Sequence, residues 1–461
     1  MLTALLAGLV FWQTPAPPPR YTLEDLVLEA TPDFESGRLE ASATLTLRLE
    51  EPTPSTRVPL DVNRWLRVRQ VRDEQGRELS FLQEVTGLPE FEKLQLNRIE
   101  VSLPTPLPPG GTIRLSVDYE GWIAPYTETG MLYVRDHVDE EFTVLRADAW
   151  AFPLPPGRGG AFTFQTRVWV PPTWVVATGG RPTGTQQEGP RVRWDSESLG
   201  PAPFLLVTIA RYHVEERESV RVYAFPADTA GARHLSDRVE AAMATLRAWY
   251  GPLPSRQTLS IMEIPDGWGS QASLTGGIVQ TAAAFRDTSR LVEVYHELTH
   301  LWNATDAESP SPRWNEGFAT YQQYRMAAEL DGMDLAAARE SLLERLRQTV
   351  QGTPSLRETP FRDYGSARLT DASYRVGGVM FALLHAHLGS DAFDAAYRRL
   401  WSEHATTAVT VEDLQGAFQD ADPHGDLGPF LREWIDTAEW SARLEAASDF
   451  QGLLDASFPA V

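Results

Sequence analysis

Along the first two hundred residues the apolar positions recur at every second residue or in short runs. LEASATLTLRL (39–49), TIRLSVDYEG (112–121) and FTFQTRVWVP (162–171) show the pattern, which is that of strands with one face turned to a core. Clusters of proline and glycine at 104–111 and 153–160 mark the turns between them. Residues 21–214 are therefore expected to form an N-terminal all-β, sandwich-like domain. Its histidines, His137 and the boundary His213, have no ligand spacing, so this domain reads as scaffold and cleft wall.

Near Glu215 the period changes. VRVYAFP (220–226), TLSIMEIP (258–265) and GGIVQT (276–281) are still strand-like, but residues 229–250 set Val239, Ala242, Met243, Leu246 and Trp249 along one side of a helix. After 281 the pattern is almost wholly helical, including 391–402, 410–420 and 427–440. Asp287, Thr288 and Ser289 predict one helix start, Ser311 followed by Pro312 a second, and Asp371 a third that stops at Gly389. Residues 215–461 thus predict an α+β, mostly helical domain, with no internal repeat.

Residues 1–20 differ from both. A short apolar run at 2–12 precedes a proline-rich stretch, which predicts a signal peptide and linker and a secreted or periplasmic protein. The run is too short to span a bilayer as a helix, and no later segment qualifies.

Composition removes several function classes. The net charge of −22 argues against nucleic acid and anionic membrane surfaces, both of which need a basic footprint. With no cysteine in the chain, disulfides, thiol nucleophiles and cysteine-bound zinc are excluded, so any metal must rest on histidine and carboxylate. Only Lys93 among the 41 basic residues is lysine; we give that bias no functional weight.

The chemistry concentrates in residues 295–321, YHELTHLWNATDAESPSPRWNEGFATY. On a helix, residues four apart share a face, so His296 and His300 can bind one metal ion. Glu297 sits beside the first ligand and can reach a water at the metal without being a ligand itself. Glu316, in the next helix, could complete a set of two histidines and one glutamate, which suits a catalytic Zn2+. His385 and His387, two apart on a helix, face different directions and read as packing or surface.

HELTH, WNEGFATY and SYRVGGVMFALL together resemble the aminopeptidase N family of gluzincin zinc metallopeptidases. The resemblance extends loosely over almost the whole chain. It implies a β domain over 21–214, a thermolysin-like catalytic domain over 215–461, peptide substrates, and Glu316 as third ligand. It also implies that Tyr374 is the tyrosine that donates to the oxyanion, with Glu297 as general base.

The chain departs from that family in three places. The segment between His300 and Glu316 is about three residues shorter than usual. The GxMEN motif, whose glutamate grips the substrate amine, is replaced by GWGSQASLTGGIVQT (267–281); no acid stands near Leu274 or Thr275, leaving Glu263 or Asp266 as substitutes. The family's large C-terminal helical domain has no counterpart in these 461 residues, from which a short form with a more open cleft that accepts longer peptides is expected. Gly276, Gly277 and Ile278 are expected to belong to an edge strand that holds an extended peptide by its backbone. Three readings follow: a secreted aminopeptidase, a zinc endopeptidase on the same scaffold, and a non-catalytic peptide-binding protein that keeps the fold.

Overall fold

The computed structural model describes residues 18–88, 91–157, 160–253, 258–273, 277–404, 407–422, 425 and 427–459. The proposed leader up to residue 17 and Gly276 lie outside them.

Alternation in the first region is realised as burial. In strand Arg38–Leu49, Leu39, Ala41, Ala43, Leu45, Leu47 and Leu49 all point into the core, each leucine contributing roughly 1.5–3 kcal/mol. This strand lies within a seven-stranded sheet ordered Arg181–Glu188, Arg191–Glu197, Thr163–Val170, Tyr21–Asp33, Arg38–Leu49, Thr112–Gly121 and Leu66–Asp73. Its pairings are antiparallel except that Tyr21–Asp33 runs parallel to Thr163–Val170. Two three-stranded sheets complete the region, one of them Val175–Thr178, Leu206–Ala210 and Phe142–Arg146.

The second region opens on a five-stranded sheet. Its strands are β1 (His213–Glu216), β2 (Val220–Ala224), β3 (Leu259–Ile264), β4 (Gln271–Ser273) and β5 (Gly277–Thr281), in the order β1-β2-β3-β5-β4. Helix α1 (Thr229–Tyr250) buries Val239, Ala242, Met243 and Leu246 as its period requires. Trp249 is only partly buried, because it lies at the rim, where the Arg325 guanidinium stacks over its ring at 4.3 Å.

The expected edge strand is corrected here. β5 runs between β3 and β4, Ile278 is fully buried, and a β-carbon on Gly277 would meet the Gly179 Cα at 2.7 Å. Gly277 and Ile278 therefore cannot offer a free edge to a peptide. The edge belongs to β4, the short hairpin partner that precedes them.

Helices follow: α2 (Leu291–Thr299), α3 (Trp314–Asp331), α4 (Leu335–Gly352), α5 (Ser373–Leu388), α6 (Ser390–Glu403) and α7 (Val411–Gln419). Two predicted starts shift. Ser311 does not cap α3; its hydroxyl accepts from the Arg313 N–H at 2.8 Å, and Arg313 in a left-handed conformation delays the helix to Trp314. Asp371 makes no cap hydrogen bond and lies in a 3₁₀ turn before α5. Asp287 does cap, accepting from the Ser289 N–H, although it opens a 3₁₀ turn that precedes α2.

Each region has its own core, and a third apolar cluster joins them. It packs Phe142, Val144 and Leu206 from the β region against Tyr223, Met262 and Val279 of the five-stranded sheet.

Candidate active site

Helix α2 is oriented by its apolar face. Leu291, Val294, Tyr295 and Leu298 are buried at spacings of three and four, which leaves His296 and Glu297 on the side of the cleft. The last turn tightens into a 3₁₀ segment, His300–Trp302, and keeps His300 beside His296. Their Nε2 atoms are 3.1 Å apart and their rings nearly perpendicular. Glu316, in the first turn of α3, brings its Oε2 to 3.3 Å from each Nε2.

The opposite ring nitrogens are held by amides. His296 Nδ1 lies 3.1 Å from Gln323 Oε1, and His300 Nδ1 lies 3.0 and 3.2 Å from the two amide atoms of Asn303. An N–H donated to Gln323 leaves the His296 Nε2 lone pair facing inward. Gln323 and Asn303 were not singled out from sequence, yet helical spacing carries the signal: Gln323 is two turns beyond Glu316, and Asn303 one turn beyond His300.

Two imidazole nitrogens and one carboxylate oxygen thus lie within 4.8 Å of one another. This donor set fits a zinc ion. Burial works to raise the Glu316 pKa, but hydrogen bonds from His296 and His300 and the charges of His300 and Arg313 prevail and hold it well below the usual carboxylate range. Glu297 is shifted the other way: burial pushes its carboxyl up, with His296 and His300 opposing.

Tyr374, at the start of α5, reaches the same place. Its ring stacks on His296 with centroids 5.8 Å apart and planes 9° from parallel, and burial pushes its phenol far above the ordinary value, so it stays a proton donor. The approach of α5 to α3 depends on Gly317 and Gly377, which meet where the helices cross. Ser373 ties the junction by donating its hydroxyl to the Pro312 carbonyl.

These groups line a cavity of about 250 Å³ together with Phe204, Ser270, Gln271, Ala272, Asn303 and Arg313. The edge strand β4 contributes Gln271 and Ala272. The Gln271 amide N–H donates to the Asp148 carboxylate of the β region. A carboxylate only accepts, so the NH2 of Gln271 faces Asp148 and its oxygen is turned away from it.

The two acids expected as substitutes lie elsewhere. Glu263 is buried in β3, where its Oε2 accepts from the Phe225 N–H at 2.6 Å; burial and neighbouring Asp228 push its carboxyl up to about 9. Asp266 accepts from the Ala283 N–H at 2.8 Å and sits 3.5 Å from Arg286. Neither lines the cavity. His385 and His387 are also apart from the site: His385 Nδ1 bonds the Tyr321 hydroxyl at 2.7 Å, and His387 stacks on Phe458.

No family model and no curated protein matches the chain. Solved structures do. A substitution variant of an M1 zinc metallopeptidase from Deinococcus radiodurans, bound to a Tyr-Ser-Ala substrate, superimposes with a TM-score of 0.66 at 21% identity, covering 90% of this chain and 94% of that one. The M1 zinc metallopeptidase from the same organism without that substitution gives 0.64 at 21%, with 90% and 93% covered. A variant of a two-domain M1 zinc metallopeptidase bound to L-arginine gives 0.66 at 22%, with 90% and 94% covered. The likeness shows the fold, a β-rich region followed by a helical one.

Proposed function

We propose that this chain is a zinc metallopeptidase of the M1, aminopeptidase N-like family that hydrolyses peptide bonds. The observation that carries the proposal is the convergence of His296, His300 and Glu316 on one point, with Glu297 and Tyr374 lining the same cavity. Zinc, when bound by those three side chains, supplies Lewis acidity that polarises the scissile carbonyl and lowers the pKa of water.

The remaining chemistry belongs to the protein. Glu297 takes a proton from the attacking water and passes it to the leaving amine nitrogen. Its burial supports this role by making the carboxylate a stronger base. Tyr374 donates its hydroxyl proton toward the carbonyl oxygen as negative charge grows there. Stacking on His296 fixes the ring, so little reorganisation is needed at that moment.

The preferred substrate is a peptide with a free N-terminus. Gln271 supports this, since it lines the cavity and its bond to Asp148 turns the acceptor oxygen of its amide away from that carboxylate. A second reading, a zinc endopeptidase, is favoured by one observation: among the described lining residues the only carboxylates are Glu297 and Glu316. An ammonium group then lacks a dedicated counter-charge. Hydrolysis of an aminoacyl reporter amide, blocked by N-acetylation and by chelator, is the outcome expected of the aminopeptidase. Cleavage of an internally quenched, N-blocked peptide would move the assignment to the endopeptidase, and chelator-insensitive cleavage would end the zinc proposal. Export to the periplasm or beyond remains part of the proposal, on the apolar run at residues 2–12; N-terminal sequencing of the native protein tests it.

A further inference from the structure

Among the described residues lining the cavity, Arg313 is the only arginine or lysine, and its backbone takes an unusual conformation there. It adopts φ 58° and ψ 42° immediately before α3, a left-handed conformation that is uncommon for a non-glycine residue. Local bonds hold it: its N–H donates to the Ser311 hydroxyl at 2.8 Å, Ser311 in turn donates to Asp306, and its carbonyl accepts from the Glu316 N–H at 3.0 Å.

This backbone turn lets the side chain reach both Glu316 and Tyr374. The guanidinium Nη2 is 2.5 Å from Glu316 Oε1 and 3.4 Å from the Tyr374 oxygen, with the guanidinium 5.7 Å from the tyrosine ring centroid. A guanidinium only donates. Both oxygens of Glu316 are therefore engaged, Oε2 toward the histidines and Oε1 by Arg313. The Tyr374 oxygen faces the same donor, so its proton cannot point at Arg313, and Tyr374 and Arg313 compete as donors for the Glu316 carboxylate.

We propose that Arg313 is a positioning residue: as the charged, stronger donor to Glu316 Oε1 it weakens the hold of that carboxylate on the Tyr374 proton and turns the hydroxyl toward the cleft. The proposal deepens the peptidase reading and rests on it for its kinetic consequences. The hydroxyl's orientation can be tested independently of activity. Without the guanidinium, Tyr374 and Glu316 Oε1 become the natural donor and acceptor for one another, and the tyrosine is withdrawn from the carbonyl.

The test compares zinc-loaded wild type with R313M, R313G, Y374F and the doubles R313M/Y374F and R313G/Y374F. R313G removes the side chain and also relieves the left-handed strain, so it keeps the fold where R313M fails. The expected crystal structure of R313G has the Tyr374 oxygen at about 2.7 Å from Glu316 Oε1. With one zinc per chain retained, kcat is expected to fall at least tenfold with KM little changed, and the same substitution in Y374F is expected to cost less than twofold. A Tyr374 oxygen that stays clear of Glu316 in R313G overturns the proposal, as does an equal kcat loss in the Y374F background. Absence of peptide hydrolysis by the zinc-loaded wild type would instead refute the peptidase reading, with the crystal structures still deciding the orientation of Tyr374.

Discussion

Gly317 and Gly377 are in backbone contact: a β-carbon built on Gly317 would lie 2.5 Å from the Gly377 Cα, closer than any real side chain comes. The contact sets how near α3 and α5 can pass, and so how near Glu316 comes to Tyr374. Gly317→Ala should force the helices apart. Overpacking of this kind costs about 1–3 kcal/mol, and a displaced tyrosine costs turnover as well. We expect a lower Tm in thermal denaturation and a kcat reduced at least tenfold; unchanged turnover would separate the glycine contact from the chemistry.

Glu297→Gln keeps the shape of the side chain and removes its basicity. Because Glu297 is outside the His296, His300 and Glu316 set, zinc content by atomic absorption should remain at the wild-type level. Peptide hydrolysis should drop by about 10²–10⁴, the usual contribution of a general base. Loss of zinc together with activity would place Glu297 among the ligands instead.

Chelation should abolish hydrolysis, with zinc restoring it. The same ligand linkage predicts a stability effect, since an ion that binds only the folded chain adds about 2.7 kcal/mol at one hundred times its Kd. The expected readout is a Tm that rises with free zinc in wild type and stays flat in His296→Ala. A flat response in wild type would contradict the metal assignment.

Glu263 makes stability depend on pH away from the active site. Its Oε1 is buried with no hydrogen-bond partner while Asp228 lies beside it, an arrangement a proton on Glu263 satisfies. The folded value of about 9 lies above the ordinary 4.5. Its contribution to stability is therefore complete below about pH 4.5 and fades as the pH rises toward 9. Glu263→Gln cannot ionise and can still donate to Asp228. It should match wild type at pH 4.5 and exceed it at pH 8 by up to about 5 kcal/mol in denaturant unfolding, at about 1.4 kcal/mol per pH unit; parallel pH profiles would refute this.

Much of the architecture was legible because it rests on local periodicity. The strand Thr112–Gly121 and helix Thr229–Tyr250 fall where the patterns at 112–121 and 229–250 put them. The His296 and His300 pair follows from one turn of helix. The mis-assigned edge shows the limit: an apolar run such as GIVQT announces a strand but not its neighbours, and β4, three residues long, gives almost no signal of its own. Arg313 escaped because its left-handed backbone lies in a loop that composition describes only as polar. Asp148 escaped because its partner Gln271 is 123 residues away, and no periodicity links positions so distant.

The cluster joining Phe142, Val144 and Leu206 to Tyr223, Met262 and Val279 limits how the chain can be dissected. Phe204 from the β region lines the cleft, and Asp148 orients Gln271 across the same junction. A fragment starting at His213 would carry His296, His300, Glu316 and Tyr374, yet it would leave apolar surface uncovered and Gln271 unheld. Such a truncation is expected to aggregate or, if soluble, to bind zinc without turning over peptides. The β region is thus part of the smallest unit in which the cavity is complete, and any redesign of its lining has to treat both sides of the junction as one target.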